Sequence, residues 1–336
     1  MRSRWVLAAA VACAVASGTA GAEPTTLIFA TVDPPNFPMN VLIHHPWAAR
    51  VTAASQGTLQ VEARDGPVFA NQGNFYNRVL DDVAQLAWGC QRFVGGKFPL
   101  SDIVGLPFET GASRESSVAF WRLYKTGLLD AEYDEIKPLW LVSLPQAVLH
   151  FRKAPQTPAD LRGLKVLAGG KIQATTIGVL GGSPISLRVA EFYEALQRGT
   201  ADGAIIPWSG ALSFKLDEVT SYHIDTALGG VPCMVFMAKK KYDALPEAAR
   251  KAIDDNSGEA QSRRHGAEQD DEQLQARAAI KARANAHTVA DLSPAQARAW
   301  RSALEPATEQ WTRSVPNGAA VLARFREIIA EVRAGR

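Results

Sequence analysis

Thr157-Pro-Ala-Asp-Leu-Arg-Gly163, Lys165-Val-Leu-Ala168, Ser183-Pro-Ile-Ser-Leu187 and Asp202-Gly-Ala-Ile-Ile-Pro207 punctuate residues 157–207, and their reading decides the fold. Thr157 offers an N-cap hydroxyl, Pro158 suits a first helical position, and Asp160 puts an acid in the first turn. A helix of one or two turns is predicted there, stopped at Gly163. Residues 165–168 then read as a strand, 172–180 as a helix, 183–187 as a strand, and 189–198 as a helix. Gly199 permits the left-handed stop that turns the chain into the strand at 202–207. Such alternation predicts α/β layers rather than a sandwich or a bundle.

The same plan extends in both directions. Upstream, residues 25–31 read as a strand that must end at Asp33-Pro-Pro-Asn-Phe-Pro38, since neither a helix nor a ladder tolerates that run. A helix over 45–54, a strand over 58–63, a helix over 75–85 and strands over 86–88 and 103–108 follow. A helix over 116–128 carries Phe120, Trp121 and Tyr124, and the strand-rich segment 136–151 crosses into a second lobe. Downstream, 231–238 is a continuous apolar strand and 246–285 reads as one long charged helix with a sparse apolar side. Helices over 293–315 and 319–332 close the chain.

At 336 residues the chain is too long for one small core, so two lobes are expected. A formal net charge of +2 with 47% hydrophobic residues argues against a disordered chain and against nucleic acid or anionic membrane as the main partner. Basic Met1-Arg-Ser-Arg4, the apolar run over 5–16 and Ala20-Gly-Ala22 together read as a secretory signal peptide, residues 1–22, cleaved after Ala22. The run is shorter than the ~20 residues a spanning helix needs, so a soluble, periplasmic, monomeric product is expected. Cleavage removes Arg2 and Arg4, leaving a formally neutral body of 34 basic against 34 acidic residues. Of the three cysteines, Cys90 and Cys233 remain, far apart in sequence, and read as two small buried thiols. Their compartment nevertheless permits a disulfide.

No constellation for chemistry is visible. There is no Gly-x-Ser-x-Gly elbow, no His-Glu-x-x-His helix and no Cys-x-x-Cys pair. Gly95-Gly-Lys97 and Gly169-Gly-Lys171 lack the remainder of a phosphate loop. No catalytic residue, metal or cofactor is expected, and an exported two-lobed α/β chain of this kind points to binding rather than turnover.

Asp160-Leu-Arg-Gly-Leu-Lys-Val166, Leu180-Gly-Gly-Ser-Pro184 and Glu191-Phe-Tyr-Glu-Ala-Leu-Gln-Arg-Gly-Thr-Ala-Asp-Gly203 resemble, in order and spacing, the signature run of one family. These are the extracytoplasmic solute receptors of tripartite ATP-independent periplasmic (TRAP) transporters. Phe75-Tyr-Asn-Arg-Val79, Gly95-Gly-Lys-Phe-Pro99 and Leu106-Pro-Phe108 extend the resemblance over the mature chain. Pro207-Trp208 and Ser213-Phe-Lys-Leu216 resemble a branch associated with aromatic or branched organic acids. The resemblance implies a periplasmic binding protein fold of type II-like architecture, with two α/β lobes on a hinge and a long C-terminal bracing helix. Lobe I would comprise 23–146 plus about 231–275, lobe II 147–230 plus about 276–336, with the ligand cleft between them. It also implies a small organic solute and delivery to a small and a large membrane permease subunit. A sensor that partners a signalling kinase and an exported α/β enzyme are the alternatives.

One departure bears on the solute. The family places a carboxylate-gripping arginine where this chain has Leu167; a second arginine falls near Gln146 and Ala147, and an asparagine at Ile206. Either another cation replaces the clamp, with Arg188 the leading candidate, or the solute lacks that carboxylate. An apolar wall of Leu167, Ile206 and Trp208, opposed by Trp88 and Tyr76, favours the second and suits an aromatic solute. Each of these aromatics also fits ordinary core packing, and Lys171 and His150 are lesser polar candidates.

Overall fold

The computed structural model describes residues 23–155 and 157–336; the expected leader, residues 1–22, lies outside the described residues. In chain order the elements are β1 (Thr25–Ala30), α1 (His45–Ala54), β2 (Leu59–Arg64), α2 (Phe75–Leu80), β3 (Leu86–Cys90), α3 (Ser113–Lys125), β4 (Ile136–Ser143) and β5 (Val148–Phe151). Next come β6 (Lys165–Ala168), α4 (Lys171–Val179), β7 (Ser183–Ser186), α5 (Phe192–Gln197), β8 (Gly203–Ile206), α6 (Trp208–Ser213), β9 (Tyr222–Asp225) and β10 (Pro232–Ala238). The chain ends with α7 (Lys239–Asp243), α8 (Glu247–Asp255), α9 (Gly258–Lys281), β11 (Thr288–Asp291), α10 (Pro294–Ser314) and α11 (Gly318–Arg333).

These elements form two sheets, the α/β architecture that the alternation predicts. One has the order β2-β1-β3-β10-β4, the other β11-β9-β5-β8-β6-β7. In the first, β1 runs parallel to β2 and β3, while β10 returns from the second lobe and inserts antiparallel between β3 and β4. Leu27 and Phe29 of β1 and most of β10 lie in the first core. In the second sheet the two-residue period sorts side chains cleanly. Leu149, Val166, Ala168 and Ile205 face Trp300 and Leu304 of α10, while Val148, Leu167, Ala204 and Ile206 face Phe192, Leu196 and Trp208.

Two of the segments that pass between the lobes run side by side. Leu144 N–H donates to the Val231 carbonyl at 2.8 Å, Ala147 N–H to Gly229 at 2.9 Å, and Leu228 N–H to Ala147 at 3.0 Å. Gly229 has φ +85°, and a Cβ there would collide with the Gly105 carbonyl, so only glycine fits this crossing. Helix α9 braces both lobes. Its Asp270 accepts from the N–H groups of Ser113 (2.7 Å) and Arg114 (3.0 Å) at the start of α3. Its far end buries Ala276 and Ile280 against the second sheet.

Several elements differ from the sequence expectation for identifiable reasons. Residues 103–108 are not a strand: a tight turn spans Ser101–Gly105 because the buried Glu132 carboxylate takes the N–H groups of Leu100 and Ser101, the latter at 3.0 Å. The helix expected over 246–285 is two, broken where the Asn256 side chain caps Ala252 (2.9 Å) and Trp47 Nε1 donates to the Asn256 carbonyl (3.0 Å). Helix α11 packs Val321, Phe325 and Ile328 into the first core, although 276–336 was expected on lobe II. Short β9 and β11, four residues each, carry too little periodicity to be legible.

Cys90 and Cys233 are disulfide-bonded, correcting the expectation of two separate thiols. The register of β3 on β10 sets them directly opposite one another. This bond closes a loop of 143 residues across the whole second lobe. Replacing both cysteines by alanine is therefore expected to lower the unfolding free energy by about 2–5 kcal/mol, measured by chemical denaturation against the oxidised wild type; an unchanged midpoint would contradict the role of this bond as a clamp on β10.

Candidate functional site

A cavity of about 900 Å³ opens between the lobes. The first lobe contributes Asp33 and Phe37 from the loop after β1, Trp88 and Cys90 from β3, and Arg92 and Phe93 from the turn that follows it. The second contributes residues 168–171 after β6, residues 186–189 after β7, and Phe214; Gln269 of α9 reaches in from the brace. Each sheet thus presents the carboxyl ends of parallel strands to the cavity, where loops replace the ladder and side chains are free to face a ligand.

Arg92 is the most enclosed cation of the cleft. Its Nε is buried and has no hydrogen-bond partner among the described residues, and its guanidinium lies 4.8 Å from the centre of the Phe93 ring. Gly169 across the cleft leaves it room, since a Cβ there would sit 3.3 Å from Arg92 Nη1. Burial pulls the Arg92 pKa below its ordinary value, opposed by the nearby Asp102 carboxylate. An arginine stays charged in such a setting, so the cleft wall carries a cation with one enclosed N–H donor. Asp102 itself is pushed up to about 6 by burial, against the pull of Lys171 and Arg92.

A family model described as DctP, bacterial extracellular solute-binding protein, family 7, matches residues 29–314. The chain belongs to that family. The outer membrane transporter protein TsaT of Comamonas testosteroni is 31% identical over 247 residues, 71% of this chain and 72% of its own. A TRAP solute binding protein from Rhodoferax ferrireducens T118, solved with copurified benzoate, superposes with a TM-score of 0.82 at 27% identity, covering 93% of this chain and 100% of the other. A marine metagenome TRAP solute binding protein specific for aromatic acid ligands, solved with 3-hydroxybenzoate, gives a TM-score of 0.82 at 25% identity over 92% and 98% of the two chains.

Within this family 7 receptor the residues singled out from sequence fall in different places. Trp88 and Lys171 line the cleft. Arg188 stands at its edge with its side chain 86% exposed, and its guanidinium is tied to Glu191 by two 3.2 Å bonds. Leu167 and Ile206 do not line this cavity: strand alternation turns both into the core beneath Phe192. Tyr76 is stacked 5.6 Å from Phe236 and borders a separate cavity. Trp208 borders a third cavity, beside the crossing segments, and donates to Asp225 at 3.2 Å. Of the expected wall of Leu167, Ile206 and Trp208 opposed by Trp88 and Tyr76, Trp88 alone lines this cavity. Arg92, Asp33 and Phe93 were overlooked; the available signal was a basic-aromatic pair at the carboxyl end of a strand.

Histidines pack behind the cleft and within the second lobe. Rings of His44 and His265 lie 5.2 and 5.0 Å from Trp88, and Trp140 donates to His265 Nδ1 at 3.1 Å. His150 is buried: its Nε2 meets the Ile206 carbonyl at 3.1 Å, and its Nδ1 meets His223 Nδ1 at 2.8 Å. His223 Nε2 in turn meets His287 Nδ1 at 3.0 Å. Because His150 must donate to a carbonyl, a single direction of N–H donation runs along the row with all three rings neutral. Burial holds His150 and His265 down to about 3, with His223 adding to the effect on His150.

The unfolded imidazoles take up protons below pH ~6.5 while these two do not until about pH 3, so their contribution to stability is complete above pH 6.5 and is lost as pH falls through that window. Imidazole NMR signals of His150 and His265 are expected to stay unprotonated from pH 8 to pH 5. A midpoint between pH 6 and 7 at either would show that it is not held neutral by the fold.

Proposed function

We propose that this TRAP receptor captures an aromatic carboxylate in the interlobe cleft, with the carboxylate on Arg92 and the ring among Trp88, Phe37, Phe93 and Phe214. The observation that carries the reading is the enclosed, unpartnered Nε of Arg92. A buried guanidinium donor without an acceptor is costly, and a carboxylate is the group whose geometry it matches. Apolar surface makes up most of the rest of the cleft wall, as an aromatic body requires. Solved relatives binding benzoate and 3-hydroxybenzoate support the same class. Of the two explanations for Leu167, replacement of the clamp by another cation is thus preferred, with Arg92 rather than Arg188 as that cation.

The hinge in this reading lies at the crossing segments 144–147 and 226–231, with 23–146 and 231–275 on one side, 147–230 and 276–314 on the other, and α11 returning to the first. Closure of the lobes over the solute would present it to the small and large membrane subunits of a TRAP permease. The receptor would act in the periplasm after loss of residues 1–22; among the described residues no helix is long and apolar enough to cross a membrane. The cycle is capture and release, without covalent change to the solute.

Calorimetric titration checks the assignment. Benzoates are expected to bind and raise the thermal midpoint by mass action, whereas the matching primary amides bind weakly. Arg92→Ala should weaken benzoate binding by roughly 10- to 150-fold, the ~1.5–3 kcal/mol of a hydrogen bond to a charged group; Arg188→Ala should change it by less than about threefold. Equal binding of acid and amide, or a larger loss in Arg188→Ala, would overturn the clamp.

A further inference from the structure

The loop that leaves β1 is built around one carboxyl group. Thr31 is buried and donates its hydroxyl to Asp65 at 2.7 Å. Val32 then sits at φ +58°, a left-handed conformation that a β-branched residue adopts only under strain. The consequence of that bend is the position of Asp33. Its N–H donates to the Thr31 carbonyl at 2.8 Å, and its carbonyl accepts from Gly66 N–H at 2.8 Å and from the Asn40 side chain at 3.2 Å. Trp88 Nε1 donates to Asp33 Oδ2 at 3.0 Å and fixes the side chain at the cleft wall. Oδ1 accepts no hydrogen bond from the described residues.

A strained backbone, three hydrogen bonds on the main chain and one on the side chain are more than ordinary packing needs at a partly buried acid. Val32 and Trp88 of this arrangement also pack in the first core, whereas the Asp33 side chain borders the cleft. Burial pushes the Asp33 carboxyl up to about 6, with Asp65 adding to the rise and the Trp88 bond opposing it. Near neutral pH it is therefore still mostly a carboxylate, and one whose desolvation makes an incoming donor valuable.

We propose that Asp33 is the selectivity residue of the cleft: its free oxygen accepts a hydrogen bond from a hydroxyl or amino substituent on the solute's aromatic ring. The same negative charge repels the solute's own carboxylate, so Asp33 and Arg92 together orient an asymmetric ligand, acid group on Arg92 and donor on Asp33. The preferred solute is accordingly a hydroxy- or amino-substituted aromatic acid rather than an unsubstituted one. This inference rests on the reading of the cleft as an aromatic carboxylate site.

Calorimetric titration of the full mature chain with benzoate, the three hydroxybenzoates, the three aminobenzoates and the methyl ethers of the hydroxy acids separates the two claims. For the wild type, at least one hydroxy- or aminobenzoate should bind roughly tenfold or more tighter than benzoate, and a favoured hydroxy acid should beat its methyl ether by a similar factor. In Asp33→Ala the ratio of hydroxy- or aminobenzoate to benzoate affinity should fall to about twofold or less, a ratio that cancels any change the lost Trp88 bond makes to both ligands. Asp33→Asn, which keeps an acceptor for Trp88 and guards against a misfolded alanine variant, should narrow the same ratio. Benzoate binding with no preference for a ring donor, or a preference that survives in both variants, would overturn the role of Asp33 and leave the Arg92 clamp standing. Failure of every one of these acids to bind the wild type would overturn the clamp, and this inference with it.

Discussion

Everything in this molecule depends on β10 entering the first sheet antiparallel between β3 and β4. A chain that builds one parallel lobe, leaves it and builds a second must come back, and β10 is where it does. Its ladder with β3 fixes the strand that carries Trp88, and the Cys90–Cys233 bond makes that pairing covalent. Two residues beyond Cys90 the chain turns and presents Arg92. The crossing segments, the cleft and its principal cation therefore follow from one strand pairing, and the glycines at the crossing are the sterically enforced condition for it.

The electrostatics of the cleft are local. Residues 23–336 are formally neutral, so there is no net charge to gather an anionic solute at long range, and recognition has to come from enclosed groups at short range. On the second sheet, position 167 points into the apolar core, and a leucine there strengthens packing under Phe192. The cation sits instead on the first lobe, facing the glycines after β6 that leave space for it. Asp33 and Arg92 give the cleft wall both signs of charge, an arrangement that favours a ligand with distinct ends over a uniformly charged one.

Much of the fold was legible because its signals are local. The helix over 45–54, the strand over 165–168 and the capped start at Ser293 each follow from spacing or from a cap, and the structure has them there. What was not legible is non-local. Residues 103–108 have the composition of a strand, but the buried carboxylate of Glu132 takes the N–H groups of Leu100 and Ser101 just before them and sets a turn instead. The disulfide joins cysteines that no spacing rule connects. The site suffered most, because facing direction decides it. Leu167 and Ile206 sit on the strands expected to border the cleft, yet the pleat sends them to the opposite side. Trp88 shows the converse, an aromatic on a short strand whose edge meets the cavity through its bond to Asp33.

A structure of the mature protein crystallised with an aromatic carboxylate such as benzoate is the most direct test of the account. It predicts the solute's carboxylate within hydrogen-bonding distance of the Arg92 guanidinium, the ring against Trp88 and Phe93, and the lobes closed about the segments 144–147 and 226–231. A carboxylate held by Arg188 or Lys171 with Arg92 uninvolved, or a solute seated in the cavity beside Trp208, would contradict it.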